Sequence, residues 1–147
     1  MIVYVDSSFL VRSYLVDETD HVQVRAMLDD PSVTAITGSW TRVEVIGSVV
    51  RAARAHRGDE TALLALFRED TEGERARLTI VDAMQAEVEL IALGIVRRTG
   101  IRSMDAWHLA CASLALPALA EPGEQLGFAT RDAVQAAVAR ELGYTLL

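Results

Sequence analysis

The sequence contains no lysine, and all 14 of its basic residues are arginine. It carries 21 acidic residues, so the formal net charge is −7. A protein that holds nucleic acid by bulk electrostatic attraction normally has an excess of basic residues, so this balance argues against a nucleic-acid ligand. Two features weaken the argument. Bound cations would neutralise part of the acidic charge, and arginine binds phosphate through two parallel hydrogen bonds.

Cysteine and long apolar segments are scarce as well. The single cysteine, Cys111, cannot form a disulfide within the chain. No basic region precedes the short apolar run at residues 2–5, and the least polar stretch, residues 109–120, is interrupted by Ser113 and Pro117. We therefore expect neither a signal peptide nor a transmembrane helix, and we expect a cytoplasmic protein.

With 147 residues, 51% of them hydrophobic and 24% charged, the chain has the composition of one folded domain over residues 1–147. Short β-branched or apolar runs predict strands, and 3.6-residue patterns predict helices between them. The predicted strands are residues 2–5, 33–36, 78–81, 126–129 and 144–147. Because strands alternate with helices, we expect an α/β fold whose central parallel sheet is covered by helices on both faces.

Several helix boundaries and one core face can also be predicted. Asp82 is expected to cap the helix that reaches residue 100, Ser103 the helix from about residue 105 to 116, and Thr130 the helix of residues 131–141. Residues 117–124 are expected to form a loop. The long helix at residues 41–57 has four apolar residues at core spacing: Val43, Ile46, Val50 and Ala53.

Four acidic residues lie where the predicted strands end or helices begin. Asp6 follows the first strand, Asp132 lies just past residues 126–129, and Glu44 and Asp105 occupy first turns of helices. Ligands of parallel sheets bind beyond the carboxyl ends of the strands, so we expect these side chains to converge. Crowded carboxylates either raise their pKa values or bind cations, and hard oxygen ligands select Mg²⁺ or Mn²⁺. A metal ion held by these carboxylates would be placed to catalyse phosphodiester hydrolysis.

Each residue also has a structural interpretation. Thr41 and Glu44 have the spacing of a capping box, and Asp6 could form an Asx-turn. His108 is expected to pack or hydrogen-bond structurally, outside the catalytic set. Two tryptophans, Trp40 and Trp107, could fill the core or stack on bases. The arginines near residues 51–57 and 97–102 could compensate helix dipoles or contact RNA or a protein partner.

Four segments together are similar to a known family. YVDSSFLVR, SWTRVEV, DAWHLACA and FATRDAVQAA resemble, in order and spacing, the four motif regions of PIN domains, especially the VapC-type toxin ribonucleases of type II toxin-antitoxin systems. Each motif alone is weak, but four in sequence are fairly specific. The resemblance covers nearly the whole chain, from Asp6 to Asp132.

The resemblance implies a three-layer α/β/α sandwich, a Mg²⁺- or Mn²⁺-dependent endoribonuclease, a homodimer, and a cognate VapB-like antitoxin that occupies the active-site groove. Position by position, it assigns four residues as catalytic metal ligands: Asp6, Glu44, Asp105 and Asp132. It assigns three supporting residues, two hydroxyls and one base: Ser7, Thr130 and Arg12.

The same residues bear on other possible functions. Receiver domains and haloacid-dehalogenase-like phosphatases also place an aspartate after the first strand, but both ordinarily need a catalytic lysine. The Asp-x-Asp pattern of the phosphatases is missing as well, and no G-x-G-x-x-G or Walker A motif indicates a nucleotide site. The remaining alternative is a catalytically silent PIN-like module that binds RNA or a protein.

Overall fold

The computed structural model describes residues 1–74 and 76–147. Its strands are β1 (Ile2–Val5), β2 (Thr34–Gly38), β3 (Leu78–Val81), β4 (Leu126–Ala129) and β5 (Thr145–Leu146). Its helices are α1 (Ser7–Tyr14), α2 (His21–Asp29), α3 (Trp40–Arg54), α4 (Glu60–Glu72), α5 (Gln85–Thr99), α6 (Ser103–Leu119) and α7 (Ala133–Glu141). Among these described residues, no helix combines the length and hydropathy that crossing a membrane requires.

The strands form one sheet in the order β3-β2-β1-β4-β5, and every neighbouring pair is parallel. Strand β1 is central, with Tyr4 paired to Ile36 of β2 and to Phe128 of β4. Because all strands run the same way, the residues that follow them lie along one edge of the sheet. The predicted parallel sheet is confirmed.

The core has two parts, one on each face of the sheet. Along β1, Ile2 and Tyr4 pack with α5, α6 and α7, whereas Val3 and Val5 pack with α1 to α4. This alternation follows from the two-residue period of a strand, and all four side chains are buried because the sheet is covered on both faces. The predicted three-layer α/β/α sandwich is confirmed.

The predicted core face of α3 is wrong. The buried side chains of this helix are Thr41, Val45, Val49 and Ala52. Val43 and Ile46 are instead among the exposed large hydrophobic residues, at 60% and 42% exposure. The helix carries apolar residues on two adjacent faces, so spacing alone does not identify the face that packs against the sheet.

Three boundary predictions also differ from the structure. Helix α5 begins at Gln85, so Asp82 does not cap it, and Ser103 is the first residue of α6 rather than its N-cap. The expected loop after residue 116 begins only at Ala120, because Pro117 lies inside the last turn of α6. A proline there removes only one backbone hydrogen bond, to the carbonyl four residues earlier.

Candidate active site

Asp6 lies between β1 and α1 and is 3% exposed. Its Oδ1 accepts a hydrogen bond from the Phe9 amide at 2.9 Å, which makes Asp6 the N-cap of α1. The Ser8 hydroxyl donates to the same carboxylate at 2.9 Å, and the Thr130 hydroxyl lies 2.8 Å from Oδ2. Burial raises the pKa of Asp6, and these hydrogen bonds and the nearby His108 offset only part of that rise.

Asp105 lies in the first turn of α6, as predicted, and is half-buried. Its pKa is raised, first by burial, then by the negative charge of Asp132 and of Asp6. The nearby Arg102 and His108 oppose this rise. The carboxyl groups of Asp6, after β1, and of Asp132, at the start of α7, thus both lie near enough to Asp105 to affect its charge.

Asp132 is the N-cap of α7, a role that the sequence suggested for Thr130. Asp132 Oδ1 accepts from the backbone amides of Val134 and Gln135 at 2.8 and 2.9 Å. The Thr130 hydroxyl accepts from the amide of Asp132 at 3.0 Å while it contacts Asp6. The Thr130 hydroxyl, in the turn between β4 and α7, thus links the Asp6 carboxylate to the backbone of Asp132.

Glu44 does not form the capping box that its spacing with Thr41 allows. Helix α3 begins earlier, at Trp40, and the Thr41 hydroxyl lies 2.7 Å from the Thr37 hydroxyl. Glu44 Oε2 lies 2.7 Å from Nε2 of the buried His108. Burial alone would raise the pKa of Glu44, but His108 and, to a smaller extent, the Ser7 hydroxyl outweigh burial and lower it.

The supporting residues have different surroundings. The Thr130 hydroxyl contacts Asp6 as described, and the Ser7 hydroxyl helps to lower the pKa of Glu44. Arg12 donates to Asp20 at 2.7 Å, so its charge is paired within the protein. The pKa of Asp20 falls to about 2, first because of Arg12 and also because of Arg131, with burial opposing both.

Sequence reasoning missed two residues of this site, Ser8 and Gln135. The Ser8 hydroxyl contacts Asp6 and accepts from the Arg131 amide at 2.9 Å. Gln135 is fully buried; its Oε1 lies 2.6 Å from the Thr130 hydroxyl, and its amide nitrogen donates to the Asp105 carbonyl at 3.2 Å. Position two after an N-cap was a usable signal for Ser8. No local pattern singles out Gln135.

The side chains supply hard oxygen donors, which fit Mg²⁺ or Mn²⁺ in kind. Across residues 1–74 and 76–147, however, no three acidic, histidine or cysteine side chains are placed closely enough to hold a metal ion as they stand. In addition, Asp6, Asp132 and Glu44 already use oxygens in hydrogen bonds within the protein.

Three solved structures share this fold. VapC20 from Mycobacterium tuberculosis, described as a sarcin-ricin loop cleaving toxin, matches with a TM-score of 0.64 at 16% identity, over 97% of this chain and 96% of that one. VapBC2 from Rickettsia felis, bound to a promoter DNA fragment, matches at 0.61 and 14%, over 100% and 98%. A toxin-antitoxin complex from Klebsiella pneumoniae matches at 0.56 and 18%, over 88% and 86%. At such identities, the likeness shows the fold.

A search among curated protein sequences finds no match. The sequence profile of the PIN domain matches residues 3–116. That match includes Asp6, Glu44 and Asp105 and ends before Asp132. Because it covers more than half of the chain, and the sheet has the architecture of the solved toxin structures, the protein belongs to the PIN domain family.

Proposed function

We propose that this protein is a Mg²⁺- or Mn²⁺-dependent endoribonuclease, the toxin of a type II toxin-antitoxin pair. The observation that carries the proposal is that Asp6 and Asp132 lie near Asp105. After burial, their negative charges are the causes that raise the pKa of Asp105. Structural use alone does not account for clustered carboxyl groups at the carboxyl edge of a parallel sheet, because their repulsion costs stability. A bound dication removes that cost.

In this proposal Asp6, Glu44, Asp105 and Asp132 hold the metal, with their side chains drawn closer together than they stand in this structure. When bound, the metal supplies a Lewis acid for the scissile phosphate and lowers the pKa of an attacking water. Ser8 and Thr130 orient the carboxylate of Asp6, and His108 orients that of Glu44. Arg102 lies close enough to lower the pKa of Asp105, so it is the arginine we assign to the substrate phosphate.

The partners follow from the similar proteins. One of them is described as a toxin that cleaves the sarcin-ricin loop, and two were solved as toxin-antitoxin assemblies. We infer an RNA substrate and a VapB-like antitoxin as inhibitor, and the resemblance to VapC-type toxins adds a homodimer to the proposal. A cytoplasmic location, expected from the single cysteine, belongs to the same proposal.

Cleavage of RNA by the purified protein, freed of antitoxin, tests the activity. We expect cutting with Mg²⁺ or Mn²⁺ and none in excess chelator. Asp6→Asn and Asp105→Asn should each lower the rate by at least about 100-fold, because loss of one ligand disturbs the whole site. Undiminished cutting in chelator would contradict the metal mechanism.

Asp132→Asn allows a matched comparison with Asp59→Asn. Both aspartates cap helices through backbone amides, Asp132 on α7 and Asp59 on α4. Asparagine is an equally good N-cap, so neither variant should lose much stability. Only Asp132→Asn should lose cleavage. Equal activity of the two variants would remove Asp132 from the proposed ligand set.

Metal binding is measured separately, without RNA. Saturating Mn²⁺ should raise the melting temperature of the wild type, because a ligand that binds only the folded state stabilises it. Asp105→Asn should melt higher than the wild type without metal, since repulsion from Asp6 and Asp132 is removed, and should respond little to Mn²⁺. A full Mn²⁺ response in this variant would exclude Asp105 as a ligand.

The second candidate function is a catalytically silent module. The observation that favours it is that Asp6, Asp132 and Glu44 all have hydrogen-bond partners within the protein. Such a module would bind RNA or a protein, with or without metal, and leave RNA intact. The cleavage assay distinguishes the two functions, since tight RNA binding without any metal-dependent product supports the silent module.

A further inference from the structure

A pocket lies beyond the carboxyl ends of β2 and β3. It encloses about 230 Å³, and we call it the tryptophan pocket. Its lining includes both tryptophans of the protein together with two polar and two apolar side chains: Trp40, Trp107, Asp82, Gln85, Val88 and Cys111. The proposed metal site uses none of these six residues.

Two helices connect the tryptophan pocket to the proposed metal site. Trp40 lies one helical turn before Glu44 on α3, and Trp107 lies directly before His108 on α6. The Gly38 amide, at the end of β2, donates to the Tyr4 hydroxyl at 3.0 Å, and the same hydroxyl lies 3.0 Å from His108 Nδ1. Trp40 thus shares α3 with Glu44, and Trp107 shares α6 with Asp105 and His108, so two helices carry residues of both the pocket and the proposed metal site.

The chemistry of the lining suits a nucleobase. Trp40 is 48% exposed although it is large and aromatic, and Trp107 is half-buried. Indole rings are stacking partners for unpaired bases. Val88 and Cys111 are buried and give the pocket an apolar floor. Pockets for drug-sized ligands have volumes of roughly 300 Å³ or more. The tryptophan pocket is smaller than this, so it suits a single base.

Asp82 gives the pocket a hydrogen-bond acceptor. It directly follows β3 and is exposed, and its carboxylate accepts hydrogen bonds but donates none. Guanine presents two adjacent donors, N1–H and the N2 amino group, on its Watson–Crick edge. A carboxylate accepts both at once, as it does from a guanidinium group. Uracil offers only one such donor, between two carbonyl oxygens that would face the carboxylate.

We propose that the tryptophan pocket binds one unpaired guanine of the substrate RNA, stacked by Trp40 and Trp107 and read by Asp82. The proposal rests on the proposed ribonuclease function, whose specificity it supplies. The bound base lies next to the cleaved phosphate, so cutting occurs beside an unpaired guanine.

Binding is tested with guanosine monophosphate on the whole protein in chelator, where no cleavage takes place. Because both tryptophans line the pocket, their fluorescence reports occupancy directly. Guanosine monophosphate should quench it saturably, with an affinity about tenfold or more above that of uridine monophosphate. Asp82→Asn should remove most of this preference, whereas Asp59→Asn, an exposed control, should retain it. Equal affinity for the two nucleotides would overturn the proposal.

Cleavage mapping then separates the two proposals. With Mn²⁺, the wild type should cut beside guanine in a strand with one unpaired guanine, and Asp82→Asn should cut that strand without this preference. Metal-dependent cleavage without guanosine monophosphate binding would refute the pocket and leave the nuclease. Guanine-selective binding without cleavage would refute the nuclease and leave the pocket.

Sedimentation of Trp40→Leu supplies a third test. If Trp40 packs against a second copy of the chain, this variant should change from dimer to monomer. That change, with no nucleotide binding by the wild type, would overturn the guanine proposal. An unchanged assembly with weakened nucleotide binding supports it.

Discussion

His108 Nε2 lies 2.7 Å from Glu44 Oε2, and the opposite ring nitrogen, Nδ1, lies 3.0 Å from the Tyr4 hydroxyl. His108 is buried, at 2% exposure. A buried imidazole ring thus fixes the position of the Glu44 carboxylate at the edge of the sheet. The sequence predicted a structural role for His108. Its contact with Glu44 also joins it to the proposed metal site as a positioning residue.

We predict that His108→Gln lowers the free energy of unfolding by about 1–3 kcal/mol, because the shorter amide cannot keep both hydrogen bonds. Urea denaturation measures this loss. If His108 orients Glu44 for a dication, the concentration of Mn²⁺ that gives half of the melting-temperature shift should also rise. A purely structural role would lower stability and leave that concentration unchanged.

His56→Gln is the matched control, because His56 is exposed at the end of α3. The same substitution there should change the free energy of unfolding by less than about 0.5 kcal/mol. It should leave the Mn²⁺ response at its wild-type value.

Asp70 joins three parts of the fold and is predicted to make stability depend on pH. Its carboxylate accepts from Arg25 at 2.6 and 2.8 Å, from the Tyr14 hydroxyl at 3.1 Å and from Arg77 at 3.2 Å. Burial alone would raise the pKa of Asp70, but Arg25 above all, with Tyr14 and Arg77, lowers it below the ordinary 3.8. Its ionised form therefore stabilises the fold.

We expect Asp70→Asn to destabilise the protein by about 3 kcal/mol at neutral pH, since it leaves Arg25 without its buried partner. A lowered folded pKa gives a contribution that is full above the unfolded pKa and is lost as pH falls through the folded one. The difference from the wild type should thus be constant down to about pH 5 and shrink below about pH 4. Urea melts at several pH values measure it.

Asp29→Asn is the control for Asp70. Asp29 contacts the same arginines, Arg77 at 2.6 Å and Arg25 at 3.4 Å, but its side chain is 44% exposed. Exposed ion pairs contribute about 0–1 kcal/mol, so this variant should lose little. A loss as large as that of Asp70→Asn would show that burial does not determine the strength of the cluster.

Gly38 and Gly94 should respond in opposite directions to the same change. A Cβ on Gly38 would lie 2.8 Å from the Tyr4 hydroxyl and 3.3 Å from Cys111 Sγ, both buried. Gly38→Ala should therefore cost about 1–3 kcal/mol. A Cβ on Gly94, inside α5, meets nothing within 4 Å, so Gly94→Ala should gain about 0.5–1 kcal/mol. Thermal melts measure both, and a stabilising Gly38→Ala would contradict the packing described.

Local patterns in the sequence predicted much of this structure. A β-branched run ending in Asp6 predicted a buried strand and an acidic residue at its end, and the strand-helix alternation predicted the parallel sheet. Both signals depend on neighbouring residues, whose geometry is set by the backbone period. They located Asp6 and Asp105 correctly at element ends. The metal-binding role of the four acidic residues stays a prediction.

Tertiary structure decided which partners those residues have. Glu44 had the spacing of a capping box with Thr41, but α3 begins at Trp40, so Thr41 lies inside the helix and Glu44 contacts His108, 64 residues away. The sequence likewise did not determine which face of α3 is buried or that Gln135 contacts Thr130. Spacing fixes which side chains share a helix face. Packing of distant elements determines what that face meets, and this requires the whole fold.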